Sequence, residues 1–94
     1  MLGGHGQILQ ADGEIQNIID RVRSDIERQI GDVGPYRADK YTKQVVAGMN
    51  YRVSVEVGPN KYIHIVVYVP LPHTGSPPSL TSVVQGKSQS DNFN

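Results

Sequence analysis

The chain has 94 residues, which is enough for one domain over residues 1–94 with a modest hydrophobic core. Nine basic residues balance nine acidic ones, so the net charge is zero and the basic excess of nucleic-acid-binding proteins is missing. The sequence contains no cysteine, which excludes a disulfide framework, a zinc–cysteine site and a cysteine nucleophile, and favours an intracellular protein.

The first third of the chain predicts a flexible trunk, an edge strand and one long helix. Residues 1–6 have neither the basic nor the apolar region of a secretory signal, so we expect no signal peptide and a flexible start. Residues 7–10 are a candidate edge strand. Apolar residues at helical spacing over residues 13–30 predict a single amphipathic helix, with Asp12 as its N-cap and Gly31 at its end. The apolar stripe consists of Ile15, Ile18, Ile19, Val22, Ile26 and Ile30.

The rest of the chain has the alternating pattern of antiparallel strands. In order, it predicts a strand over 51–57, a turn over 58–60, a strand over 63–69, a proline-rich loop over 70–78, a strand over 80–85 and a frayed tail over 87–94. The longest apolar stretch is far too short to span a bilayer, so no membrane association is expected. A meander of four to five strands packed on one helix is an α+β fold.

An apolar, uncharged run over residues 44–48 precedes the first of these strands. Short apolar runs are usually buried strands, so the residues taken alone favour a core strand that reaches its turn. The alternative is an exposed apolar binding surface, because a hairpin tip is normally polar.

Other candidate sites are weak when each is taken alone. Gly3 and Gly4 fit a disordered tail, and the prolines around Leu71 fit a stiff turn. His5, His64 and His73 are too scattered for a metal site, and His64 is expected on the strand face away from the helix. Carboxylates on the helix (Glu14, Asp20 and Glu27) fit a solvated face, so neither a catalytic group nor a cofactor is expected.

The run Gln44, Val45, Val46, Ala47 and Gly48 resembles the central motif of the cystatins, inhibitors of papain-like cysteine proteases. The surrounding sequence resembles their intracellular type-1 branch, the stefins. The further matches are residues 1–4, residues 14–16 with Val22, residues 60–64 and residues 71–73. Two features depart from the family pattern: Val84 stands before Gln85 where the family usually has tyrosine, and the tail from Gly86 to Asn94 is more polar than usual.

The resemblance implies a cystatin-like fold, with an antiparallel sheet wrapped around one long helix. It also implies a cytoplasmic, non-enzymatic protein that inhibits cathepsin-type proteases by reversible, tight and competitive binding. Three segments would form an apolar wedge in the protease groove: Met1, Leu2, Gly3 and Gly4; Gln44, Val45, Val46, Ala47 and Gly48; and Leu71 and Pro72. His73 either contacts the protease or is solvated.

Two other functions remain open at this point. The chain could be a self-assembling structural protein, because residues 45–47 and 63–69 are β-prone and nearly uncharged. An enzyme on a related scaffold is remote, since no convergent polar groups stand out. The expected assembly is a monomer, and stefins also form domain-swapped dimers.

Overall fold

The computed structural model describes residues 6–93 and has a five-stranded sheet packed on a helical layer. The trunk residues Met1, Leu2, Gly3 and Gly4 therefore lie outside the described residues. The elements are β1 (Leu9–Gln10), α1 (Gly13–Arg21), α2 (Arg23–Ile30), β2 (Arg37–Val46), β3 (Gly48–Gly58), β4 (Lys61–Val69) and β5 (Ser79–Lys87). A single 3₁₀ turn, Pro72–Thr74, lies between β4 and β5.

The strands form an antiparallel meander in the order β1-β2-β3-β4-β5. Each strand pairs with the next one in sequence, as expected for the predicted meander. The last strand is longer than predicted and ends at Lys87. Its register shifts by a bulge near Gly86, whose φ of 74° a glycine adopts without strain. The α+β fold is thus confirmed, with five strands.

The prediction of one continuous helix over residues 13–30 is wrong at Val22. The two helical segments meet there, because the Val22 N–H donates to the Ile19 carbonyl at 3.2 Å in a tighter turn. The Tyr36 hydroxyl donates to the same carbonyl at 2.5 Å. A side chain that enters the helical hydrogen-bond ladder is a recognised cause of a kink. The predicted ends are confirmed: Asp12 accepts from the Ile15 N–H at 3.1 Å, and Gly31 has a φ of 88°.

The kink leaves the apolar stripe of the helices facing the sheet. The four central stripe residues are almost fully buried against the inner faces of β3 and β4. Burial of this kind contributes roughly 1.5–3 kcal/mol per large aliphatic side chain, which compensates for the weak helix propensity of β-branched residues. The packed residues are Ile15, Ile19, Val22, Ile26, Val53, Val55, Ile63, Ile65 and Val67.

The tail was expected to fray from residue 87, and the structure differs from that expectation. Residues 88–93 fold back over the outer face of the sheet, away from the helices. The Lys40 ammonium donates to the Gln89 carbonyl at 2.7 Å, and the Arg52 guanidinium donates to the Phe93 carbonyl at 3.2 Å. The Phe93 ring packs on the His64 ring with centroids 4.7 Å apart. The single phenylalanine of the chain therefore anchors the C-terminal tail to the outer face of the sheet.

His64 lies on the outer face as predicted, and only 8% of it is exposed. Within residues 6–93, its Nε2 atom has no hydrogen-bond partner. Burial lowers the pKa of His64 below its ordinary value of 6.5, and the nearby cations Lys87 and Lys40 add to this effect while Asp91 opposes it. The imidazole of His64 therefore binds a proton more readily in the unfolded chain than in the folded protein. As the pH falls below about 6.5, protonation of His64 lowers the stability of the fold.

Replacement of Phe93 by alanine should raise the pKa of His64 towards 6.5, because water then reaches the ring. An NMR titration of the His64 ring protons measures this change. Phe93→Leu is the matched control, because it keeps an apolar cover and should leave the pKa lowered. An identical His64 titration in Phe93→Ala and the parent protein would show that the tail does not shield the histidine.

Candidate functional site

The apolar run over residues 44–48 forms an exposed hairpin tip. Val45 and Val46 end β2, Ala47 is the turn, and Gly48 begins β3. The register pairs Val45 with Met49 and Val46 with Gly48. Val45 is 67% exposed, so the interpretation of this run as a buried core strand does not apply. The extended backbone suits both valines because β-branched side chains favour strands.

The tight turn at this tip depends on Gly48. Its φ is 120°, a conformation that residues with a Cβ rarely adopt. A Cβ at this position would lie 2.6 Å from the Val69 carbonyl oxygen and 2.9 Å from the Tyr68 hydroxyl oxygen. The end of β4 therefore occupies the space that a side chain at position 48 would need.

The second predicted contact segment is the loop over residues 70–78, which we call the second loop. Leu71 is 41% exposed, and Pro72 and His73 are exposed beside it. The Leu71 carbonyl accepts from the Thr74 N–H at 3.1 Å and from the Thr74 hydroxyl at 2.8 Å. These bonds and the flanking prolines hold Leu71 in a stiff, outward-facing turn.

The meander brings the hairpin tip and the second loop to the same end of the sheet. Met49, at the start of β3, pairs with Val69, at the end of β4. The Gly6 N–H donates to the Lys43 carbonyl at 3.1 Å, so the described chain also begins beside the end of β2. Two of the three predicted segments are thus neighbours, while the third, residues 1–4, lies outside the described residues.

This end of the molecule presents apolar rather than catalytic chemistry. In the described part of the chain, the exposed large hydrophobic residues are Ile8, Val45, Val46, Leu71 and Val84, and three of them belong to the tip and the second loop. Residues 44–48 carry no charge. Across residues 6–93, no group of three His, Asp or Glu side chains is placed to hold a metal ion. No helix in that range is long and apolar enough to cross a bilayer.

Sequence reasoning missed exposed Ile8, which precedes the edge strand, and Tyr68, which contacts the hairpin tip. Ile8 is an exposed apolar residue before β1. Tyr68 donates a hydrogen bond from its hydroxyl to the Ala47 carbonyl. Alternation along β4 places Tyr68 on the outer face, but it does not reveal a contact to a residue 21 positions earlier in the chain.

Comparison with known proteins identifies the family. The cystatin domain profile matches residues 3–89. Stefin-C of Bos taurus is 41% identical over 91 residues, covering 96% of this chain and 90% of that protein. Cystatin-A of Felis catus is 39% identical over 95% of this chain and 92% of its own length. Cystatin-B of Bos taurus is 36% identical over 97% of this chain and 94% of its own length.

The relatives are protease inhibitors rather than enzymes, and the shared domain points to cysteine protease inhibition. The match extends over both loops and the sheet that carries them. The chain therefore belongs to the cystatin family, in its type-1 or stefin branch.

Proposed function

We propose that this protein is a reversible, tight-binding competitive inhibitor of papain-like cysteine proteases of the cathepsin type. The observation that carries the proposal is the apolar surface of Val45, Val46 and Leu71, which two adjacent loops expose at one end of the sheet. An exposed apolar surface on a small protein is typical of a binding site. Its partner has to offer an apolar groove, as papain-like proteases do.

Inhibition would proceed by occlusion of the active-site groove. The tip residues Gln44, Val45, Val46, Ala47 and Gly48 would enter the groove beside the catalytic thiolate, and Leu71, Pro72 and His73 would cover the adjoining wall. Stiff segments lose little conformational entropy on binding, and both loops are stiff: one is a one-residue turn between paired strands, and the other is closed by Thr74. The inhibitor supplies shape and apolar area, so the protease carries out no chemistry on it.

The trunk Met1, Leu2, Gly3 and Gly4 completes the proposed wedge. Gly6 begins the described chain next to Lys43, one residue before Gln44, which supports contact of the preceding residues with the same groove. Leu2 and Met1 would fill an apolar subsite, and the two glycines would allow close approach to the groove wall. The monomer is the proposed working form, and the cytoplasm is its proposed location, in line with the stefin branch.

Papain titrated with the monomer should lose activity in a one-to-one ratio, whereas trypsin should stay active. Val45→Asp should raise the inhibition constant at least about 100-fold, because it places an uncompensated charge in an apolar groove. Val84→Asp is the matched control: this valine is 47% exposed, but it lies in β5, outside the two loops. The control should inhibit papain like the parent protein.

Full papain activity at micromolar concentrations of the parent monomer would overturn the proposal and favour the self-assembling alternative. Equal losses in the two valine variants would show that charge on the surface, rather than the hairpin tip, determines binding.

A further inference from the structure

We infer that Tyr68 is a positioning residue that joins the hairpin tip and the second loop into one rigid binding surface. The inference rests on the proposed inhibition and adds to it a residue that lies outside the three contact segments. Tyr68 lies on β4, paired with Asn50 of β3 on one side and Ser79 of β5 on the other.

The hydroxyl of Tyr68 reaches past β3 to the hairpin tip. It donates a hydrogen bond to the carbonyl oxygen of Ala47, the one residue between β2 and β3. A turn residue outside the strand ladder has no ladder partner to orient its peptide plane. The hydrogen bond from Tyr68, on β4, orients the peptide plane of Ala47 instead.

Gly48 and Tyr68 are matched in size. The Tyr68 hydroxyl oxygen lies 2.9 Å from the position of a Cβ on residue 48, and a carbon of its ring edge lies 3.0 Å from that position. The tyrosine therefore packs into the space that the glycine leaves open. Packing and hydrogen bonding act on two consecutive residues of the tip, Ala47 and Gly48.

The same tyrosine is close to the second loop along the chain. Val69 follows it and pairs with Met49, and Pro70 then begins the loop that exposes Leu71. A displacement of the end of β4 would thus move both binding loops together. A surface held in this way loses less conformational entropy on binding, so the Tyr68 hydroxyl should add affinity without touching the protease.

The test compares Tyr68→Phe with Tyr62→Phe. Both variants remove one hydroxyl from the outer face of β4, but Tyr62 pairs with Glu56 and Lys87 at the opposite end of the sheet. Tyr68→Phe should raise the papain inhibition constant about 3- to 10-fold, the effect of one neutral hydrogen bond. It should also lower the ¹⁵N backbone order parameters of Ala47 and Gly48 in the free protein. Tyr62→Phe should change neither quantity.

Each result decides the inference. An unchanged inhibition constant and unchanged order parameters in Tyr68→Phe would overturn it. Weaker inhibition with unchanged order parameters would also overturn it, because the hydroxyl would then act by direct contact with the protease. If the parent protein does not inhibit papain, the proposed function fails, and with it the contribution of Tyr68 to affinity. The order parameters then still show whether Tyr68 holds the tip.

Discussion

Gly48→Ala is expected to weaken papain inhibition by at least about 30-fold, the effect of losing a residue central to an interface. The new Cβ would lie 2.6 Å from the Val69 carbonyl oxygen, and a backbone atom of a central strand cannot easily move away. The φ of 120° adds backbone strain. Together these effects should lower the free energy of unfolding by about 2–4 kcal/mol and displace the hairpin tip.

Gly31→Ala is the matched control for this substitution. Gly31 also has a positive φ, 88°, and it ends α2 rather than a binding loop. Among residues 6–93, leaving out its chain neighbours and the backbone of its own helix, no atom lies within 4 Å of its Cβ position. Its replacement should cost about 1–3 kcal/mol of stability through backbone strain alone, because a φ of 88° with a ψ of −174° is open almost only to glycine, and should leave the inhibition constant unchanged. Chemical denaturation and papain titration of the monomer fraction measure both effects. Full inhibition by monomeric Gly48→Ala would show that the tip geometry does not determine binding.

A heated, concentrated solution should yield a domain-swapped dimer that does not inhibit papain, while the monomer fraction stays active. If the turn at Ala47 straightens, β2 and β3 become one long strand. Residues 6–46 of one molecule can then pair with residues 48–87 of another through the same β2–β3 contacts. The exchange removes the hairpin tip, so it should remove inhibition with it.

The bend at the hairpin tip falls on Ala47 and Gly48 rather than on the two valines. Val45 and Val46 lie in extended β2, a conformation that suits β-branched side chains. Val46 would become an internal strand residue in the dimer, where aspartate is unfavourable. Val46→Asp should therefore reduce the dimer fraction, whereas Val84→Asp should not. Gly48→Ala should increase that fraction, since an extended position 48 relieves its clash with Val69.

Size-exclusion chromatography followed by a papain assay on each fraction tests the swap. A dimer that inhibits as strongly as the monomer would show that the hairpin tip survives dimerisation and that the swap hinge is not at residue 47. An unchanged dimer fraction in Val46→Asp would place the hinge outside the end of β2.

Much of the fold could be predicted from local patterns. Asp12 and Gly31 indicated both ends of the helical region because capping depends on one side chain or one backbone angle. The alternation over residues 51–57 and 63–69 indicated β3 and β4, since every second side chain has to face the core. The prediction failed where a distant residue intervened. Tyr36 bonds to the Ile19 carbonyl and accompanies the kink at Val22, and Phe93 fastens a polar tail to His64.

The candidate site, like the fold, could be predicted from local patterns only in part. The run over residues 44–48 is apolar and uncharged and resembles the cystatin motif, but the pattern of a short apolar run is the same whether it forms a buried strand or an exposed hairpin tip.

The sequence by itself determined the helical stripe, the strands β3, β4 and β5 and the resemblance to the family, because periodicity, turn chemistry and motifs are properties of neighbouring residues; it did not indicate β2 over Arg37–Val46. Only the tertiary structure decided that Val45 is exposed, that Gly48 has to lack a Cβ and that Tyr68 holds Ala47. The last two facts depend on the register of β4 beside β3, which brings together residues about 20 positions apart in the chain.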